Sequence, residues 1–208
     1  MNRWTGIAAA CAAALMVAGG LAVQREAVIA ASVERLERQA AALRAEVRPP
    51  RRTLRIDKDA SPRTLLADAL FLARQGGDAR DPHRRAELLA ADEAVGAVIA
   101  RRPQWGEAWV VRSLVRTELG GANDPQATAA LEKSYALAPF LRDAAEWRIS
   151  RAFAAWSYLD PYARQRVINE AVIYAQLNGA ARIRTFELAR GTAAYVPLSV
   201  AWHARTQR

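Results

Sequence analysis

The chain has 208 residues, of which 52% are hydrophobic and 25% are charged. This length and apolar content suffice for the core of one ordinary domain with appendages, which excludes disorder along the whole chain. The sequence contains 48 Ala, 28 Arg and 2 Lys. Because Ala and Arg favour helices and strand-forming residues are sparse, we predict an all-α fold. One cysteine and two histidines argue against a disulfide framework, a Cys/His zinc site and a Cys–His catalytic pair.

The formal net charge of +9 raises the question of nucleic-acid binding. Thirteen basic and twelve acidic residues nearly balance between positions 61 and 159, so the basic excess lies in the flanks. The main basic run is C-terminal and comprises Arg182, Arg184, Arg190, Arg205 and Arg208. Because nucleic-acid binders usually concentrate their bases on one face of the domain, this distribution argues against DNA or RNA as a partner. Anionic lipid or acidic polysaccharide is a further option for a basic tail.

The first apolar segment begins at Trp4, ends at Val23 and contains no charged side chain. A helix of this length spans about 30 Å, the thickness of the hydrocarbon core of a bilayer. We therefore predict a transmembrane signal-anchor over residues 1–23, and keep a cleaved signal peptide, whose apolar region is usually shorter, as the alternative. Arg3 favours a cytoplasmic N-terminus. These features predict a single-pass protein of the inner (cytoplasmic) membrane with a periplasmic soluble domain.

Residues 24–60 are predicted to form a juxtamembrane helix and a linker. Apolar residues spaced by 4, 3, 4, 3 and 4 form a coiled-coil seam: Ile29, Val33, Leu36, Ala40, Leu43 and Val47. Pro49 and Pro50 end this helix because proline lacks the N–H group and clashes with the preceding turn. Two interpretations stay open: the seam forms a homodimeric stalk, or the helix packs against its own folded domain.

Signals for helix starts and ends recur regularly from Ser61 onward. At Ser61-Pro62, Asp81-Pro82 and Asp160-Pro161 a capping side chain precedes a proline, and glycine-containing pairs mark helix ends. The predicted helices are 62–75, 82–101, 105–119, 125–137, 142–157, 161–177 and 180–190. Consecutive helices with short loops pack as antiparallel hairpins, and a run of hairpins indicates a helical-repeat domain, here over residues 61–178.

Two segments displaced by 36 residues share one spacing, with intervals of 4 and 8 in Ala91, Val95 and Pro103 and in Ala127, Leu131 and Pro139. Trp109 follows the first of these prolines by six residues. The stretch 107–139 therefore resembles a degenerate tetratricopeptide repeat, whose unit carries an early Trp and a closing Pro, and the resemblance is best over 82–139. Departures from that pattern include Arg116 in place of Tyr and a longer turn between the helices.

The resemblance to the tetratricopeptide family implies a stack of helix hairpins with a repeat core. By position, this core consists of Ala91, Val95, Pro103, Trp109, Ala127, Leu131 and Pro139. The resemblance also implies that the first helix of each repeat lines a concave groove for a peptide or a helix. The groove residues carried over by position are Glu107, Val110, Leu114, Thr117 and Glu118.

The last region, residues 179–208, is predicted to form a helix followed by a basic arm. The stretch 193–202 reads AAYVPLSVAW, and its proline and weak alternation favour an extended arm docked on the repeats or on a partner. The tryptophans of the helical body, at positions 105, 109, 147 and 156, are interpreted as core residues in preference to sugar-stacking platforms.

The sequence lacks a Gly-rich phosphate loop and the CxxC, HExxH and GxSxG motifs, so we expect no enzymatic activity, no catalytic residues, no cofactor and no metal. The first functional hypothesis is a membrane-anchored scaffold that binds other envelope or membrane proteins. The layout of anchor, helix and degenerate repeats also resembles membrane-anchored VpsP-type polysaccharide biosynthesis proteins, which implies a role in exopolysaccharide biosynthesis or export. The alternatives are a permanent structural subunit of a large membrane complex and a carbohydrate-binding module.

Overall fold

The structure is a computed structural model, and it describes residues 56–57 and 59–206. These residues form eight α-helices and no strand, which confirms the predicted all-α class for this part of the chain. The helices are α1 (Pro62–Arg74), α2 (Pro82–Arg101), α3 (Gly106–Gly120), α4 (Pro125–Leu137), α5 (Ala145–Ala154), α6 (Pro161–Ala175), α7 (Gly179–Ala189) and α8 (Tyr195–Thr206). Short 3₁₀ turns at Arg142–Ala144 and Trp156–Tyr158 flank α5, where the sequence predicts one continuous helix.

Side-chain caps explain why the predicted helix starts agree with the structure. The Asp81 carboxylate accepts a hydrogen bond from the His83 N–H at 3.0 Å, and the Asp160 carboxylate accepts one from the Ala163 N–H at 2.8 Å. In both helices proline occupies the first position, where its missing N–H group costs no hydrogen bond. These local signals are independent of tertiary packing, so the sequence alone reveals them.

The helices pack as consecutive antiparallel hairpins: α1 with α2, α3 with α4, α5 with α6 and α7 with α8. In addition, α1 contacts α3, and α5 contacts α7, so that the first helices of neighbouring hairpins also touch. This arrangement is a stack of hairpins and is compatible with a helical-repeat fold.

Two clusters of buried side chains fill this stack. The first cluster joins α1, α2 and α3 and includes Leu65, Val95 and Val111. The second joins α4 through α8 and includes Leu131 and Ile149. Between the clusters α3 and α4 approach closely through small residues, and the buried Ser113 hydroxyl donates to a backbone carbonyl of α4 at 2.8 Å.

The C-terminal stretch 193–202 is where the expected fold is wrong. It was predicted to be an extended arm, but Tyr195–Thr206 forms α8. Pro197 is the third residue of this helix. Proline lacks an N–H group, but in the first turn of an α-helix the N–H groups donate no hydrogen bond within the helix. Leu198 is fully buried in the second cluster, which fixes the helix against the rest of the stack.

Among the helices of residues 56–57 and 59–206, none is long and apolar enough to cross a membrane. The predicted transmembrane segment over residues 1–23 and the predicted coiled-coil seam from Ile29 to Val47 lie outside the described residues. Both therefore stay predictions from the sequence.

Candidate interaction surface

The residues predicted to form the repeat core lie mostly in the interior. Four of them have no exposed surface: Ala91, Val95, Ala127 and Leu131. Trp109 is half-buried, and its indole N–H donates to the carbonyl of Pro103 at 3.0 Å. Pro103 and Pro139 are themselves exposed after the ends of α2 and α4. Trp109 thus ties the start of α3 to the end of the preceding hairpin.

The residues predicted to line a partner groove lie along α3 but differ in exposure. Glu107 is exposed, whereas Leu114, Thr117 and Glu118 are half-buried. Val110 is only 8% exposed and offers little surface to a partner. Leu114 packs against the first core cluster, and the Thr117 hydroxyl donates to a carbonyl of its own helix at 2.8 Å. Much of this surface therefore serves internal packing, and partner binding there stays a prediction.

Arg116 links α3 to α2 through a forked ion pair. Its Nε lies 2.8 Å from Asp92 Oδ1, and one terminal nitrogen lies 2.5 Å from Asp92 Oδ2. Both side chains are partly shielded from solvent, and such planar two-point pairs are the stronger kind of charged hydrogen bond. The residue that departs from the tetratricopeptide pattern thus has its own structural role.

A fully buried ion pair joins α5 to α6. Arg148 Nε lies 3.3 Å from Glu170 Oε2, and neither side chain is exposed. The guanidinium carbon lies 3.9 Å from the centre of the Tyr135 ring, and a terminal nitrogen donates to the carbonyl of Ala138 at 2.9 Å. The backbone N–H of Leu141 donates to Glu170 Oε1 at 3.0 Å. This cluster fastens the loop between α4 and α5 to both following helices.

Burial controls the protonation of this cluster. It raises the pKa of Glu170, while Arg148 and the Leu141 N–H oppose the shift. Burial also raises the pKa of the Tyr135 hydroxyl well above its usual value, and the Glu170 carboxylate adds to this effect. Because all three side chains are sealed from solvent, the cluster positions helices and has no direct access to a ligand.

Exposed aliphatic side chains lie on the last hairpin. Ile183 on α7 is 60% exposed, and Val196 and Val200 on α8 are 68% and 64% exposed. Val196, Val200 and His203 are spaced by 4 and 3, so they share one face of α8. We call this surface, formed by Ile183, Val196, Val200 and the adjoining pocket, the α7–α8 face.

An open pocket of about 440 Å³ lies between the last two helices, and Ile183 is one of its lining residues. Its walls are formed by Arg182, Ile183, Phe186 and Glu187 from α7, by Arg190 directly after α7, and by Trp202 and His203 from α8. The Phe186 ring contacts Trp202 and Tyr195 edge-on, at centroid distances of 6.0 and 6.4 Å. This edge-on aromatic packing joins α7 to α8 beside the pocket.

The α7–α8 hairpin is strongly basic. It carries Arg182, Arg184, Arg190 and Arg205, and Glu187 is its single acidic residue. Arg184 is engaged, because its Nε lies 2.8 Å from Glu146 Oε1 on α5. The other three arginines form no ion pair with another described residue. Within the described part of the chain, Arg182 and Arg190 thus bring positive charge without an ion-pair partner to the pocket that Ile183 lines.

Sequence reasoning finds only part of this surface. The C-terminal arginine run is visible in the sequence, but Arg184 turns out to be an internal contact, whereas Arg182 and Arg190 line the pocket. The exposed aliphatic residues were missed because Pro197 suggests an extended segment. The spacing of Val196 and Val200 by four residues is the available signal for a helical face.

Comparisons of the chain with protein-family models, with curated proteins and with solved structures return no match. Within the described part of the chain, no group of three or more His, Cys, Asp or Glu side chains is arranged to hold a metal ion. The functional interpretation therefore depends on the geometry of the surfaces described above.

Proposed function

We propose that this chain is a membrane-anchored, tetratricopeptide-like scaffold that binds a partner protein of the cell envelope. The observation that carries the proposal is the α7–α8 face, where Ile183 lines a pocket with aromatic and arginine side chains and Val196 and Val200 are exposed on the second helix. Contiguous exposed apolar surface with a polar rim is typical of protein interaction sites. A helical stack is a suitable scaffold because it presents helix faces as a rigid surface.

The tetratricopeptide-like part of the proposal is supported by the repeated spacing of Ala91 and Val95 and of Ala127 and Leu131, all of which are buried. The hydrogen bond from Trp109 to Pro103 gives a physical reason for the six-residue interval between the end of one hairpin and the Trp of the next. The groove along α3, from Glu107 to Glu118, is a second surface on which a peptide or helix would bind under this proposal.

The membrane anchor and the envelope location are proposed from the uncharged segment that begins at Trp4 and ends at Val23. Fusions of alkaline phosphatase and of green fluorescent protein to the C-terminus test this location. An active phosphatase fusion and a dark fluorescent fusion are expected for a periplasmic domain, and the reverse pattern would contradict it. Within the envelope, we propose a role in exopolysaccharide biosynthesis or export.

Affinity purification of the tagged full chain from detergent-solubilised membranes tests partner binding. After reversible crosslinking in cells, we expect one or a few envelope proteins to be enriched over an untagged control by quantitative mass spectrometry. Enrichment of no protein above the control would contradict the scaffold function. Addition of labelled chain to the purified complex distinguishes a scaffold from a permanent structural subunit. In a scaffold the labelled chain replaces the bound chain on the partner, whereas in a permanent subunit it does not.

One observation favours a carbohydrate-binding module as a second candidate. Trp202, Phe186 and two arginines meet in the same pocket, and aromatic and guanidinium groups together suit an acidic sugar. Isothermal titration of the full chain with uronic-acid oligosaccharides tests this candidate. Binding that is lost in Trp202→Ala and unaffected by Leu89→Ala would favour it.

A further inference from the structure

The last hairpin exposes aliphatic side chains, beside its charged ones, where a stack of hairpins needs polarity. In helical repeats each hairpin is covered by the next, and a terminal hairpin stays soluble when its outer side is polar. Here α8 packs against α6 and α7, and no other described helix packs closely against it. Ile183, Val196 and Val200 are each at least 60% exposed. This face therefore resembles the surface on which the next helix of a stack would pack.

The charge around these side chains restricts what can cover them. Arg182 and Arg190 line the pocket, and neither forms an ion pair with another described residue. The one acidic side chain of the hairpin, Glu187, also lines the pocket and lies 3.9 Å from Arg184, so the two arginines outnumber the carboxylates at this rim. A partner with carboxylates at this rim is attracted by the arginines and supplies counter-charges to their guanidinium groups.

We propose that the α7–α8 face binds an acidic amphipathic helix of a partner protein, an inference that rests on the proposed scaffold function. The partner helix would place apolar side chains at positions i, i+3 or i+4, and i+7 against Val196, Val200 and Ile183. Its Asp and Glu side chains would lie beside Arg182 and Arg190. One large apolar side chain would enter the pocket against Phe186 and Trp202.

A second copy of the chain fits this face less well. Two identical faces would bring the same free arginines together, and like charges across an interface cost binding energy. Binding to an anionic membrane is a separate outcome of the experiment below. An acidic polysaccharide would use the pocket but leave Val196 and Val200 exposed to water.

Selection of peptides on the full chain in detergent tests this proposal. A display library of randomised 18-residue peptides is selected on the wild-type protein, and the enriched peptides are measured by fluorescence anisotropy. We expect enrichment of helical sequences with an apolar stripe flanked by Asp and Glu. Their affinity should fall at least tenfold in Val200→Glu and in Ile183→Glu, and it should weaken as salt concentration rises.

Leu89→Glu is the matched control, because Leu89 is a 50% exposed aliphatic residue on α2, away from the α7–α8 face. It should leave peptide affinity within twofold of wild type. In Arg190→Glu, binding of the acidic peptide should fall, and a version with Lys in place of its acidic residues should gain affinity. Circular dichroism and the melting temperature establish that each variant is folded.

Several outcomes would overturn the proposal: no enriched peptide, enrichment of basic peptides, or binding that Val200→Glu and Arg190→Glu leave unchanged. Vesicles of phosphatidylcholine with phosphatidylglycerol, and uronic-acid oligosaccharides, are measured in parallel. Face-dependent binding to either of these without acidic-helix binding also overturns it, as does self-association that Val200→Glu abolishes. If an envelope partner co-purifies equally with wild type and Val200→Glu, the scaffold function survives and only this inference fails.

Discussion

Arg148 and Glu170 illustrate how single side chains hold the helices of this stack together. Their pair is fully buried, and the same two residues also bind the loop between α4 and α5 through Ala138 and Leu141. Burying two charges costs desolvation energy, so such a pair need not exceed an apolar pair in stability. Removing one partner is different, because the remaining charge loses its compensation.

Replacement of Arg148 by Met should reduce the free energy of unfolding by about 3–5 kcal/mol, because Glu170 stays buried without its guanidinium partner. The double variant Arg148→Met with Glu170→Met should be more stable than the single variant, since it removes both charges. Urea unfolding of the three proteins at neutral pH, followed by circular dichroism, measures both differences. Equal stability of the single variant and wild type would show that the pair is not formed.

The cost of Arg148→Met should also depend on pH. Arg148 lowers the pKa of Glu170 against the raising effect of burial, so its removal raises that pKa further. A carboxyl whose folded-state pKa is raised stabilises below its unfolded pKa, and this contribution is lost as pH rises through the folded-state value. The difference from wild type should therefore be smaller near pH 4.5 than at pH 7. A constant difference across this range would contradict the assignment.

Local sequence signals predict the side chains that cap helices, but they do not predict these buried charges. Asp81 and Asp160 are visible because each cap depends on the next two or three residues. Arg148 and Glu170 are 22 positions apart and look like ordinary surface residues of two helices. Their pairing depends on how α5 and α6 pack, which a single sequence does not reveal.

The close contact between the start of α3 and the end of α4 depends on Gly106, because glycine has no side chain. A Cβ atom added to Gly106 would lie 2.6 Å from the Cβ atom of Ala138, closer than two carbon atoms pack. Gly106 thus allows the start of α3 to approach the end of α4. This close approach brings the first core cluster beside the second.

Gly106→Ala should therefore lower stability by about 1–3 kcal/mol through overpacking, despite the higher helix propensity of Ala. Gly96→Ala is the matched control, because Gly96 lies inside α2 with no atom within 4 Å of the added Cβ. That change should raise stability by about 0.5–1 kcal/mol. Thermal unfolding of both variants gives the comparison, and a stabilising Gly106→Ala would contradict the close packing of α3 on α4.

The helix α8 is the element that sequence reasoning missed. The spacing of its apolar residues was weak, and Pro197 indicated a break, although proline in a first turn is compatible with a helix. The other helices were found because caps and prolines mark their starts. Their ends were less well defined, and the helix predicted over 142–157 divides into α5 and two 3₁₀ turns.

Leu198→Ala should lower the free energy of unfolding by about 2–5 kcal/mol. Leu198 has no exposed surface, so its truncation leaves a cavity under α8. Val200→Ala, two residues further on the solvent side, should change stability by no more than about 0.5 kcal/mol. Hydrogen exchange of the α8 amides adds a local readout. Equal effects of the two substitutions would mean that α8 is not docked through Leu198.

At the scale of the whole molecule, the described residues form a stack of hairpins with two cores, and the last hairpin exposes three aliphatic side chains. The cores account for most of the large buried side chains, including the residues predicted from the repeat spacing. Ile183, Val196 and Val200 of the α7–α8 face lie outside both cores, whereas Phe186 and Trp202 of its pocket pack against the second core. The sequence predicts the stack from periodicity, whereas the exposed face becomes visible only when the last hairpin is folded.

The central claim is that the α7–α8 face contacts a partner protein in the cell. Site-specific incorporation of a photoreactive amino acid at position 200, with position 89 as a control that is also aliphatic and exposed, tests this claim directly. Irradiation of cells that express the full chain is followed by purification and mass spectrometry. The account predicts a discrete crosslinked protein at position 200 that is absent at position 89. Crosslinks at position 200 that match the control, or none at all, would contradict it.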